Sequence, residues 1–380
     1  MTAARILHLH SSFDLGGKER RAVDLMNGFG AAARHVVLSA VPGALGAAQA
    51  IAPGIDVTIQ PAEAPPLHGK PGPRRYVRLA RYMAGFDLVL SYNWGAMDGV
   101  MAHRLFGRVM RLPPLIHHED GFNADEVARR SPLRNNFRAV ALVTATRLAV
   151  PSRTLEDIAR GEWRQPVERI ARIPNGIATA RYAAPPVPDA IPGLVRRPGE
   201  TLVGTIAGLR AVKNLPRLVR AVAAAGEGIR LVVVGEGPER AAIVAAAERL
   251  GVGDRLVMPG FLADPHRYVG LFDIFALSSD SEQFPISMVE AMAASLPVAA
   301  PAVGDIAHIA SAENRPFIAP PGDEAALAAA IRTLAADAGL RRTVGAANRA
   351  LAIRAYDEAA MREAYRALYA EAMRKPGWAL

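Results

Sequence analysis

The residues best placed to do chemistry lie between Phe272 and Pro301. Glu282 and Glu290 stand there with seven residues between them, and Glu290 is the sole ionisable residue from Glu282 to Asp305. A carboxylate in so apolar a setting must be exposed at a helix end or held by a partner. Phe284, Pro285, Ile286 and Ser287 separate the pair and read as the start of a helix, where backbone amides are left without acceptors. Such amides bind anions, and carboxylates bind hydroxyls. Together they suit a ligand that carries both phosphate and sugar.

Two further turns carry related chemistry. In Thr205–Leu218 a strand ends in Ala-Gly, a loop carries Arg210 and Lys213, and a helix begins near Asn214–Pro216. Two cations beside a helix start are a phosphate site. In Val232–Arg240, Gly235 and Gly237 follow an apolar strand and permit close approach by a ligand or a helix. In the first half, Gly16 and Gly17 follow the first strand and precede a helix. His117, His118, Glu119 and Asp120 cluster after another strand, with Asn93 and Trp94 after a third. Adjacent residues do not easily converge on one ion, so the cluster reads as a polar acceptor pocket and no metal site is expected.

These turns must be positioned by strands. Short β-branched or Leu-rich runs alternate with helical patterns throughout, as in a parallel sheet covered on both faces. Candidate strands are 6–10, 35–40, 56–59, 86–91, 114–117, 142–144 and 148–151, then 202–207, 230–234, 255–258, 274–277, 297–300 and 317–319. Candidate helices are 18–29, 74–84, 154–160, 215–225, 239–250, 286–295 and 324–337, with an amphipathic tail helix over 358–375. The Pro- and Gly-rich segment Ala183–Glu200 is the best boundary. The expected fold class is α/β with two doubly wound, Rossmann-like domains. Residues 1–180, joined by the tail 358–380, form the first, and residues 181–357 the second. In an open parallel sheet, turns that leave the carboxyl ends of the strands line one crevice.

Composition bounds the function. The chain has 380 residues, ample for two cores, and no cysteine, which excludes disulfides and thiolate metal sites. No apolar run is long enough to span a bilayer, and the start lacks a secretory pattern. A cytoplasmic protein is expected. The formal charge of +9 is lopsided: residues 1–185 carry 24 basic against 15 acidic groups, and the remainder 21 against 21. Arg74, Arg78 and Arg81 share one face of a predicted helix. An anionic membrane surface is therefore an expected partner, on the inner face of the cytoplasmic membrane, and nucleic acid is not.

The set of motifs resembles the group 1 family of retaining glycosyltransferases with the GT-B fold, and the segment Ile116–Asn123 is similar to exopolysaccharide-type sugar transferases. The marks are Gly16-Gly17 with Glu19, Ile173–Gly176, Leu209 to Lys213, Val234–Glu239, Pro259–Phe261, and Glu282 with Glu290 ahead of a small-residue helix. The resemblance implies a GT-B architecture, with two domains facing a cleft and closing about a hinge near Asn175–Gly176. It implies a metal-independent glycosyltransferase that moves a sugar from a UDP- or GDP-linked donor to a glycan acceptor, lipid-linked, in cell-surface polysaccharide assembly. The nucleotide sugar is a co-substrate, and no cofactor is implied. Carried over by position, Glu290 binds the ribose, Glu282 faces the donor sugar, and Lys213 neutralises the diphosphate beside the backbone of Phe284, Pro285, Ile286 and Ser287, where Phe284, Ile286 and Ser287 carry the N–H groups. Gly16, Gly17 and Gly235 line the donor. His117 or His118 contacts the transferring sugar, and Asn93, Glu119 and Asp120 the acceptor. Ala207-Gly208-Leu209 stands where the family has Gly-Arg-Leu, so Arg210 is the candidate replacement cation. A nucleotide-sugar epimerase of GT-B fold, or a non-catalytic nucleotide- or glycan-binding protein, would share much of this pattern.

Overall fold

A computed structural model of the chain describes residues 3–14, 16–70, 72–122, 126 and 129–379. By contacts the chain divides into two compact units, Met1–Pro174 with Met361–Leu380, and Asn175–Ala360.

In unit 1, strands β1 (Ala4–His10), β2 (Ala33–Ser39), β3 (Val57–Ile59), β4 (Leu88–Tyr92), β5 (Leu115–His118), β6 (Arg147–Val150) and β7 (Ile170–Arg172) pair in parallel in the order β3-β2-β1-β4-β5-β6-β7. The helices are α1 (Gly17–Phe29), α2 (Pro73–Met83), α3 (Met97–Phe106), α4 (Pro132–Ala141) and α5 (Arg153–Gly161). Buried side chains alternate along the strands and define the two faces. Ile6, Leu88, Leu90 and Ile116 pack with α1 and with Tyr365 and Tyr369 of the final helix. Leu7, Leu9, Val89 and Leu115 pack with α2, α3, α4 and α5.

In unit 2, β8 (Thr201–Ile206), β9 (Ile229–Val234), β10 (Leu256–Gly260), β11 (Ile274–Ala276), β12 (Val298–Pro301) and β13 (Ile318–Ala319) form a second parallel sheet, in the order β10-β9-β8-β11-β12-β13. One face is covered by α6 (Leu215–Ala225), α7 (Arg240–Arg249) and α10 (Glu324–Ala336), the other by α8 (Ile286–Ala293) and α9 (Ile306–Ile309). Helices α11 (Ala338–Ala355) and α12 (Glu358–Met373) follow. The parallel, doubly covered α/β architecture is the one expected.

One expected strand is corrected. Leu142–Thr144 is a 3-10 turn that prolongs α4. Only Leu142 is buried, while Val143 is exposed, so the segment has one inward side chain and nothing for a second sheet face to cover.

In each sheet the chain leaves a central strand in one direction and later returns to its other side, at β1/β4 and at β8/β11. At such a reversal the loops beyond the strand ends diverge and leave a crevice. Gly16, Gly17 and Asn93 follow β1 and β4, and Arg210, Lys213 and Glu282 follow β8 and β11, while His117 and His118 end β5 with Glu119 just after them, Gly235 follows β9 and Glu290 lies within α8.

Candidate active site

Unit 2 builds its edge from two loops that hold each other. After β8, Arg210 leads into the short turn Ala211–Lys213, and Asn214 starts α6 with φ of 42°. After β11 come Ser278, Ser279 and Asp280. The Ser278 hydroxyl donates to the Lys213 carbonyl at 2.9 Å, and the Asp280 amide donates to the Val212 carbonyl at 2.8 Å. Arg217 of α6 pairs with Asp280 at 2.7 Å. These links bring Lys213 Nζ to 2.5 Å from Glu282 Oε1, which also accepts from the Ser279 hydroxyl at 2.6 Å. Residues 69 positions apart thus meet because their strands are neighbours. Both side chains keep some solvent contact, 16% for Lys213 and 9% for Glu282.

Helix α8 begins at Ile286, just past this pair, with Pro285 at its cap and the Met288 amide already turned to the Pro285 carbonyl. Phe284 packs edge-on against Tyr356, and Ser287 is half-buried. Glu290 is half-buried one turn along, and the Tyr182 hydroxyl hydrogen-bonds to it. Burial first, then the charge of Glu290, hold the Tyr182 phenol well above its ordinary value, and they act likewise on Tyr268. So Glu290 is paired, as its setting requires, but by a tyrosine that the sequence does not mark.

Arg210 is exposed, with no side-chain partner among the described residues. Gly235 follows β9 with φ of +143°, and a Cβ there would stand 1.9 Å from the Ala207 carbonyl oxygen. The loop after β8 is thus a close neighbour that requires glycine at this position.

Unit 1 uses its edge differently. Asn93 follows β4 with φ of 55°. Its amide donates to the His118 carbonyl at 2.9 Å, and its side-chain oxygen accepts from the Asp120 amide at 2.8 Å. Asp120 forms a bidentate pair with Arg21 of α1, the Nη2–Oδ2 bond being 2.8 Å. Gly16 and Gly17 open α1 nearby, and a Cβ on Gly16 would meet only the flexible carboxylate of Glu19, which pairs with Lys18. Gly16, Gly17, Asn93 and Asp120 are thereby gathered at the β1/β4 crevice.

His117, His118 and Glu119 are not presented there. All three have no exposed surface. His117 Nδ1 pairs with the Ser91 hydroxyl at 2.9 Å, and His118 Nε2 with the Tyr369 hydroxyl at 2.9 Å. Glu119 accepts from Arg138 Nε at 3.1 Å. Arg138 is wholly buried too, beneath the rings of Trp94, Phe122 and Trp163, and also pairs with Glu126. The expected contact of these three side chains with sugar or acceptor is therefore corrected: they are internal struts, and Asn93 and Asp120 are the accessible members of the cluster. Asn123, at the end of that segment, lies outside the described residues. A concavity of about 560 Å³ between α4 and α5, lined by Arg129, Arg130, Asn135, Glu162 and Arg164, holds none of the expected site residues. Among the described residues no group of three metal-ligating side chains comes together.

Residues 189–351 match the family model "Glycosyl transferases group 1", and residues 15–181 the model "Glycosyltransferase Family 4". The two matches cover both crevices. The chain belongs to the group 1 glycosyltransferases. It is 29% identical over 272 residues to 2-deoxystreptamine N-acetyl-D-glucosaminyltransferase of Streptomyces fradiae, covering 67% of this chain and 63% of that one. It is 29% identical over 209 residues to the lipopolysaccharide core biosynthesis glycosyltransferase LpsD of Rhizobium meliloti, covering 54% and 58%. Matches to the first curated relatives thus span from 35% to 63% of their lengths. The fold is that of HepE from Anabaena, solved in complex with UDP, with a TM-score of 0.80 at 20% identity over 97% of this chain and 100% of that one. The GT-B glycosyltransferase fold of two Rossmann-like sheets is thereby established.

Proposed function

We propose that this group 1 glycosyltransferase moves a sugar from a nucleotide diphosphate donor, UDP- or GDP-linked, to a glycan acceptor with retention of configuration and without a metal. The observation that carries the reading is the Lys213–Glu282 pair at the β8/β11 crevice, next to the first turn of α8. As the bond from the anomeric carbon to the diphosphate breaks, charge grows on the phosphate. Lys213, on giving up Glu282, meets that charge together with Arg210 and the backbone N–H groups of Phe284, Ile286 and Ser287. The departing phosphate oxygen takes the proton of the acceptor hydroxyl, which attacks from the same face. Glu282, released from Lys213 by the phosphate, receives donor sugar hydroxyls, and Glu290 the ribose.

Support for a nucleotide donor comes from the fold neighbour solved with UDP, and support for a lipid-linked glycan acceptor from the lipopolysaccharide relative. Such an acceptor places the protein at the inner face of the cytoplasmic membrane, in cell-surface polysaccharide assembly. Asn93 and Asp120 face the acceptor in this reading.

The test is a turnover assay over a panel of nucleotide sugars, run with Lys213→Ala. The native chain should release UDP or GDP from one donor, and the variant should lose about a hundredfold in kcat/KM. Calorimetry on Glu290→Ala should show weaker UDP or GDP binding. A native chain that binds nucleotide but turns over no donor would point to the non-catalytic alternative, and interconversion of donor sugars without transfer to the epimerase.

A further inference from the structure

The basic surplus of the first half has a place in the fold. Residues 64–118 hold eight basic and two acidic groups. Both acids are engaged: Asp98 by Arg75 at 2.6 Å and by the Tyr76 hydroxyl at 3.2 Å, Asp87 by Lys375 at 3.0 Å and by the Arg5 amide at 2.8 Å. Lys70, Arg74, Arg78, Arg81, Arg104, Arg108 and Arg111 are all exposed, and none has a side-chain partner among the described residues. Glu63 sits at the edge of the patch beside Arg81.

Helices α2 and α3 cover the same face of the unit 1 sheet, and the Arg75–Asp98 bond joins their first turns, so their outer faces lie side by side. Past α3 the helical hydrogen bonding continues through Gly107 and Met110, and His103 Nε2 meets the Pro113 carbonyl at 2.9 Å, which fixes the turn. Leu105 and Val109 then repeat four residues apart, as do Arg104 and Arg108, giving an apolar and a basic stripe on adjacent lines of one rigid surface. Leu105 is 53% exposed and Val109 83%. Apolar side chains held out to solvent between unpaired arginines are costly in water and favourable at a lipid interface, where the chains enter the acyl boundary and the cations meet headgroups.

We propose that the outer face of α2 and the end of α3 is the surface by which this protein docks on an anionic bilayer, with Leu105 and Val109 as the inserted wedge. The proposal rests on the lipid-linked acceptor reading, and it names the residues that would deliver the protein to such an acceptor.

The test uses the full chain with vesicles of phosphatidylglycerol and phosphatidylcholine, and with phosphatidylcholine alone. Binding should require the anionic lipid and weaken as salt is raised. The set Arg78→Glu, Arg104→Glu, Arg108→Glu should lower partitioning about tenfold or more. Leu105→Ser with Val109→Ser should remove the binding that survives high salt. Both sets should leave UDP affinity unchanged, which controls for folding. Equal binding to neutral vesicles, no binding, or indifference to charge reversal would overturn the surface. So would a wedge variant that alters self-association in sedimentation and leaves vesicle binding intact. Donor turnover without vesicle binding would sink this surface alone, and vesicle binding without turnover would sink the transfer reading alone.

Discussion

The two crevices have the same topological origin and opposite uses of charge. In unit 2, Lys213 and Glu282 are brought together and left partly open to solvent. In unit 1, the end of β5, the strand beside β4, carries His117, His118 and Glu119, and these are turned inward, His117 held by Ser91, His118 by Tyr369 and Glu119 by Arg138. A strand-end polar residue is thus no guarantee of a solvent-facing group. What decides is whether aromatic side chains from elsewhere close over it, as Trp94, Phe122 and Trp163 close over Arg138.

The sharpest way to break this contrast is Arg138→Ala. It would strip two buried carboxylates, Glu119 and Glu126, of a shared cation. Removing one partner of a buried pair costs about 3–5 kcal/mol, because the charge left behind has no water to turn to. The three tryptophans, Trp94, Trp163 and Trp378, all lie in unit 1, so their fluorescence during urea unfolding reports that unit alone. A midpoint shift of the expected size, with nucleotide binding at low urea retained, would confirm Arg138 as framework. Unchanged stability together with lost transfer would make the cluster a substrate site after all.

Acid should separate the units next. His8, His10, His35 and His118 are buried in unit 1, and burial lowers the affinity of each for protons. Neighbouring charge adds to this, from His35 at His8, Lys18 at His10 and Arg21 at His118. His35 is brought down to about 4. Between the ordinary histidine value and that one, the unfolded chain binds protons that the folded chain refuses. Stability is therefore complete above about pH 6.5 and falls as pH drops, by about 1.4 kcal/mol per unit for each such histidine. Glu19, raised by burial, works the other way and returns a little stability when protonated. Urea midpoints read by tryptophan fluorescence should fall steeply from pH 6.5 to 4. A flat profile would show that these imidazoles are not held neutral.

Much of this was legible in the sequence, for identifiable reasons. Most strands and helices followed from apolar periodicity, and the Lys213 and Glu282 loops from their place at strand ends. Helices α3, α4, α9 and α11 escaped it. Helix α3 follows the short turn Trp94–Ala96 directly and carries Gly99, whose missing Cβ makes room for Leu9, so its apolar pattern is interrupted. Helix α4 reads PLRNNFRAVA, too polar to suggest a buried face, yet Arg138 within it has no exposed surface. Its burial is made by three rings from distant segments, a tertiary fact with no local signature. Gly235 was visible as a special glycine, but what approaches it was not, since the Ala207 carbonyl is nearly thirty residues away. Tyr182 was missed for the same reason: it lies just before the Pro-rich segment and acquires a role only by folding back on α8.

That contact supplies the mildest test of how unit 2 presents charge. Tyr182→Phe removes one hydroxyl from the half-buried Glu290 and leaves the ring packed. A hydrogen bond to a charged group is worth about 1.5–3 kcal/mol where water is shut out, and less where it can substitute. Glu290 retains some solvent contact, so a loss of UDP or GDP affinity of about fivefold is expected, read by calorimetry. The informative comparison is with Glu290→Ala and with the double variant. If Tyr182 acts only by aiming Glu290, the double variant should bind nucleotide no worse than Glu290→Ala alone, and the coupling energy should equal the whole effect of Tyr182→Phe. Additive losses would mean that Tyr182 meets the nucleotide itself. No loss in either single variant would remove the ribose role from Glu290 and leave the crevice defined by Lys213 and Glu282.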